Sequence, residues 1–259
     1  MKVDITGFDE LFKKLDDFEK THFSLAVSRA ISKTAYDVKD GLVGEMKRVF
    51  DRPTPYTLNS LYVRQAKVND LSAFIYPKEA WDKGTSAKKY LYPNIAGGDR
   101  HVKRFERALQ AMGILPTGMY VTPGPGAQLD AYGNISRGQI MQILSYFGAA
   151  EMTLGYSANI TAKRKAKLAK GTKRMQGFVY FIANGKGVKS NHLPMGIYRR
   201  SAGAWASWGS PLKLVLLFSR KPSYKAIFHF FDLGKKITND MFPKNFEESM
   251  DAALHHAKL

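Results

Sequence analysis

Residues 158–175, ANITAKRKAKLAKGTKRM, hold seven Lys or Arg and no Asp or Glu. Cationic side chains at this density attract polyanions, either nucleic-acid phosphate or the carboxylates of an acidic neighbour. Helical spacing puts Lys163, Lys167, Lys170 and Arg174 on one strip, and Arg164, Lys165 and Lys173 widen it. The other side offers Ile160, Ala162, Ala166, Leu168 and Ala169, a thin apolar face. Like charges four residues apart repel by about 0.2–0.5 kcal/mol per pair, which an anionic partner relieves. These seven side chains are therefore expected to touch DNA or an acidic partner at an interface. A solvated helix face and a disordered tether are the alternatives the residues leave open.

Residue types suited to catalysis are present, but not at catalytic spacing. The histidines, His22, His101, His192, His229, His255 and His256, form neither an HxH nor an HExxH arrangement. Asp130 and Glu151 are the only acids between Glu106 and Asp232, which argues against paired carboxylates there. Gly185-Lys186-Gly187 lacks the remaining spacing of a phosphate loop and reads as a turn. QGFVYFIA at 176–183 only faintly follows an RNA-recognition consensus, and a buried strand accounts for its aromatics. The expectation is a protein that is not an enzyme, with no catalytic residues, no cofactor and no metal. Trp205 and Trp208, in SAGAWASWGS, either mark an interface or cover a core edge.

The elements that would position these residues follow from periodicity. Lys2–Ile5 reads as a short strand, and Thr6 starts a helix with Phe8, Leu11, Phe12, Leu15 and Phe18 on one side. A stripe from Phe23 to Phe50 predicts a helix of about 28 residues, ended by Arg52-Pro53-Thr54-Pro55. Leu61–Val68 and Leu71–Tyr76 form a hairpin pattern around Asn69-Asp70. Trp81–Gly98 reads as an irregular excursion, Asp99–Met112 as a helix, and Ser136 as the cap of another. Phe178–Ala183 and Lys213–Ser219 read as buried strands. Residues 230–259 read as a helix broken at Pro243.

Residues 113–135, GILPTGMYVTPGPGAQLDAYGNI, hold five glycines and three prolines. They read as a Pro/Gly-rich assembly arm whose Leu115, Met119, Tyr120, Val121 and Leu129 seek cover on a neighbour. The order of elements does not alternate strand and helix, so the fold class is α+β: N-terminal helices, one of them long, packed on a mostly antiparallel sheet, with extended loops and a C-terminal helix. One domain over 1–259 is expected.

Composition narrows the partners. The 259 residues carry a net charge of +18 and no cysteine. Fifteen Lys or Arg and no acid lie between Met152 and Phe231. The longest apolar run, Leu214–Phe218, is far short of a membrane span, and the N-terminus shows no apolar signal region.

Several stretches together give a family resemblance. MKVDITGFDELFKKLDDF, the long second helix, RPTPYTLNSLYVR at 52–64, PTGMYVTPG, LDAYGNISRGQIMQILSYF, LPMGIYRR and RKPSYKAIFHFF run through nearly the whole chain. In these the chain resembles the minor tail protein Z, or tail-completion, family of head–tail joining proteins in long-tailed bacteriophages. The match lapses in Trp81–Gly98 and AGAWASWGS. The resemblance implies a structural virion protein of the tail and neck at the head–tail junction, assembled in the host cytoplasm into a homo-oligomeric ring, a hexamer by analogy with tail tubes. It implies the tail terminator, tail tube and head connector as neighbours, with tape measure protein and DNA in the channel, and no membrane. The alternative from another class is a stand-alone basic nucleic-acid-binding protein.

Overall fold

Every fourth residue from Ala26 to Met46 is buried: Ala26, Ala30, Thr34, Val38, Leu42 and Met46. That stripe makes Ser24–Val49 a single long helix, α1, preceded by a π-helical turn at Phe18–Phe23. The computed structural model describes residues 16, 18–79, 85–150, 159–173, 175–185, 192–201 and 212–257. The remaining helices are α2 (Pro55–Leu58), α3 (Ala87–Ala96), α4 (Arg104–Ala111), α5 (Arg137–Tyr146), α6 (Ala162–Lys170) and α7 (Phe230–Ala257). The strands are β1 (Leu61–Arg64), β2 (Phe74–Pro77), β3 (Gly98–Asp99), β4 (Tyr120–Pro123) and β5 (Gly171–Thr172). They continue as β6 (Met175–Gln176), β7 (Phe178–Ala183), β8 (Gly196–Ser201), β9 (Leu212–Ser219) and β10 (Ser223–Tyr224). The protein is α+β, with every strand pair among the described residues antiparallel. The strand and helix expected at Lys2–Leu15 lie outside the described residues.

The chain forms two compact units, residues 1–97 with 225–259, and residues 98–224. The first is built on α1 and α7, which run antiparallel. Lys33 pairs with Glu248 at one level. Asn245, almost fully buried, donates through Nδ2 to Thr34 Oγ1 at 3.0 Å and Asp37 Oδ2 at 2.6 Å. Further along, Gly41 faces Ile237. The expected break at Pro243 does not occur, because α7 continues through it. Proline removes one backbone donor, but Asn245 and Phe242, on either side, are held against α1.

After α1, Thr54 caps α2 by accepting from Thr57 N at 3.1 Å, and Pro55 opens the helix where a missing N–H costs nothing. The expected hairpin follows, with shorter strands. Leu61 pairs with Pro77 and Arg64 with Phe74, and a Lys67–Asp70 bridge closes the tip. Leu61 and Val63 are both buried, and Leu61 packs in a core with Leu42, Met46, Leu91 and Phe228. The stretch expected to be irregular contains α3 in spite of Pro93. Ala87 and Leu91, one helical turn apart, are both buried, and that burial outweighs the propensity. Trp81 lies outside the described residues.

The second unit is built on a four-stranded sheet ordered β4-β9-β8-β7, with a bulge between Ile197 and Tyr198. Ser136 caps α5 as expected, accepting from Gln139 N at 3.3 Å. Leu109 of α4 and Ile143 and Leu144 of α5 pack with Phe178, Tyr180, Ile197, Val215 and Phe218 of the sheet.

The reading of 113–135 as an assembly arm needs correction. Leu115, Tyr120 and Val121 are buried in this unit's own core, and Met119 packs against it. Tyr120–Pro123 is the edge strand on β9, and Gly124 and Gly126 continue the contact by donating to Val215 O at 2.9 Å and Leu214 O at 2.7 Å. Pro and Gly content signals turns, but the three non-proline residues Tyr120, Val121 and Thr122 suffice for a strand once a sheet edge stands beside them. Only Leu129, 51% exposed at a small bridge to Ile135, keeps the surface position expected of an arm.

A candidate polyanion-binding surface

The basic segment folds as a short helix tied to the second unit at three points. Thr161 caps α6, its hydroxyl accepting from Arg164 N at 3.3 Å, and Ile160 N donates to Ser145 O at 3.1 Å. Leu168 reaches the hydrophobic core. Lys165 holds its ammonium 4.9 Å from the centre of the Tyr146 ring on α5. Tyr146 is itself held edge-on against Phe147 and Tyr180. Of the thin apolar face, Leu168 packs on the core while Ala162 and Ala166 are exposed, and Lys165 adds a cation–π contact.

The helix stops at Lys170. Gly171 takes φ of 76°, a conformation glycine adopts without strain, and residues 171–176 turn back as the β5–β6 hairpin. The expected strip therefore ends after Lys163, Lys167 and Lys170. Arg174 lies outside the described residues. Lys173 sits exposed at the hairpin turn. Lys163, Arg164, Lys167 and Lys170 are all exposed. Among the described residues, none of these five cations has an ion-pair partner.

The return of the chain depends on close backbone approach. A Cβ on Gly177 would run into Ala169 O and the Lys170 carbonyl carbon at the end of α6. Backbone cannot yield as a side-chain tip does. Gly177→Ala is expected to cost about 1–3 kcal/mol of stability and to speed amide exchange in α6. Thermal unfolding with hydrogen exchange on 160–177 checks it, and unchanged protection would show that the contact is not needed.

Charge is segregated between the units. Residues 98–224 hold 19 Lys or Arg against four acids, whereas the rest of the chain holds 21 against 18. The described acids of the basic unit are all occupied. Asp99 pairs with Lys221. Asp130 Oδ1 accepts from Tyr132 N and Asn134 N, both at 2.9 Å. Glu106, fully buried, accepts from both terminal nitrogens of Arg100, from Lys103 N at 2.6 Å and from Val121 N at 2.8 Å. Burial alone would raise its pKa, but the Arg100 hydrogen bonds, the two backbone donors and the Arg100 charge outweigh it and hold the carboxyl below the usual range. Glu151 lies outside the described residues. No described acid of this unit thus remains to neutralise α6.

Trp205 and Trp208 lie outside the described residues. The sequence reading missed a second exposed set, in the other unit. Tyr62, Phe74 and Tyr76 stand on the outer face of the β1–β2 ribbon, with Tyr62 and Tyr76 ring centres 5.3 Å apart and the Arg64 guanidinium 4.4 Å from that of Phe74. Their alternation with Leu61, Val63 and Ile75 was visible, but both faces are apolar, so period alone did not say which is covered.

Among the described residues, no group of three or more His, Asp or Glu is placed to hold a metal, and no helix is long and apolar enough to cross a membrane. Comparisons with family models, with curated proteins and with solved structures return no match to this chain.

Proposed function

We propose that the protein is a structural subunit of a long-tailed phage virion. In this reading it completes the tail at the head–tail junction as part of a ring around the DNA channel. The observation that carries the reading is the division of labour in the chain. One unit carries a net +15 and an anchored cationic helix without an ion-pair partner among the described residues, suited to a polyanion; the other is near neutral and exposes aromatics, suited to protein neighbours. The resemblance to tail-completion proteins supports it from the sequence side. Its most distinctive stretch, residues 52–64, forms the capped turn α2 and strand β1 that present the exposed ribbon.

The cationic helix also favours a second reading, a stand-alone nucleic-acid-binding protein working as a monomer. Assembly separates the two. Negative-stain images and light scattering of the purified chain are expected to show closed rings, six-fold by analogy with tail tubes. A chain that stays monomeric at tens of micromolar while binding DNA tightly would replace the first reading with the second.

A further inference from the structure

A closed ring needs two different, complementary surfaces on each subunit. We propose that both lie on the first unit: Phe231 of one copy seats in the apolar groove beside β2 of the next. This rests on the ring reading above.

The groove has a volume of about 360 Å³ and is lined by Ile31, Ala35 and Val38 of α1, Ala73 and Ile75 at β2, and Phe242 of α7. Its lining is mostly apolar, and Thr238 stands exposed at its margin. Strand alternation puts Phe74 and Tyr76 on the outer face of the same strand, each more than 40% exposed. Tyr62 adds to that face, and Val68 and Leu71 extend it to the hairpin tip. Together these side chains expose roughly 500 Å² of surface, a size at which patches on monomers mark interfaces.

Phe231 is the complementary feature. It is 74% exposed, the most exposed large apolar side chain among the described residues, and Ile227, four residues before it, is exposed too, its N–H donating to Asn94 O at 2.9 Å. Phe231 and Phe242 are eleven residues apart on α7, so helical rise separates knob and groove by roughly 16 Å. Phe231 does not fill the groove of its own chain. A knob and a groove at different places on one subunit make head-to-tail contact, the geometry that closes into rings. Charge argues for a second copy as the occupant. This unit is net +3, so copies meet here at little electrostatic cost, whereas contact through the +15 unit would be repelled.

The test is complementation between two full-length variants, both at exposed positions and both checked for native circular dichroism. Phe231→Ser removes the knob, and Thr238→Arg obstructs the groove. Each alone is expected to be monomeric by light scattering. Mixed in equal amounts they are expected to form a one-to-one dimer and nothing larger, since each keeps the surface the other lacks. Variants that still assemble like wild type, or monomers that do not pair when mixed, overturn the knob-and-groove contact and leave the ring reading intact. A wild-type chain that is itself monomeric overturns both.

Discussion

Glu106→Ala is expected to lower stability by about 3–5 kcal/mol, a large part of what a typical protein has to lose. The carboxylate is 0% exposed and the Arg100 side chain 13%. Removing Glu106 strands a nearly buried guanidinium, which also sits 4.7 Å from the centre of the Tyr120 ring. It also orphans the N–H of Val121, the residue that leads β4 into the sheet. The loss should therefore exceed that of an exposed pair such as Arg64 with Asp70, where about 0–1 kcal/mol is usual. The carboxyl is held below its unfolded pKa. A depressed acid contributes stability that is whole above the unfolded value, about 4.3, and is lost as pH falls through the lower folded value. Wild type should thus lose stability below about pH 4, and Glu106→Gln should lack this component of the acid loss. Urea midpoints at pH 7 and pH 3 measure both effects. A Glu106→Ala variant within about 1 kcal/mol of wild type would show that Arg100 finds another partner.

Reversing Lys163, Lys167 and Lys170 to Glu is expected to weaken binding to duplex DNA by at least about 100-fold at moderate salt. Each lost phosphate contact should reduce the slope of log affinity against log salt by about 0.9, so three should reduce it by roughly 2.7. Binding through phosphate alone should not distinguish duplexes of different sequence. The fold should survive, because the three side chains are exposed and the anchors of α6 are Thr161, Leu168 and Lys165. Fluorescence anisotropy on two unrelated duplexes across a salt series measures affinity, slope and selectivity together. Equal affinity and slope in variant and wild type would make this helix ordinary solvated surface.

The sequence alone determined what depends on local period and on composition. The long helix α1 was legible because its buried positions recur every fourth residue over more than five turns, and no other structure buries such a stripe. Ser136 as a cap, the β1–β2 hairpin and the buried strands β7 and β9 were legible for the same reason. So was the excess of positive charge. Tertiary structure decided where competing forces had to be weighed. Pro93 and Pro243 argued against helices that burial and contacts with α1 sustain. Residues 113–135 read as an arm because glycine and proline report local freedom, whereas the edge of β9 and the buried Glu106, distant in sequence, supply the partners that order Tyr120 and Val121. The basic strip was legible as composition, but its length was set by Gly171 and its orientation by the Tyr146 ring. Which face of the ribbon stays open followed only from where Leu42, Met46 and Leu91 lie, since two apolar faces of one strand are equivalent until a core chooses between them.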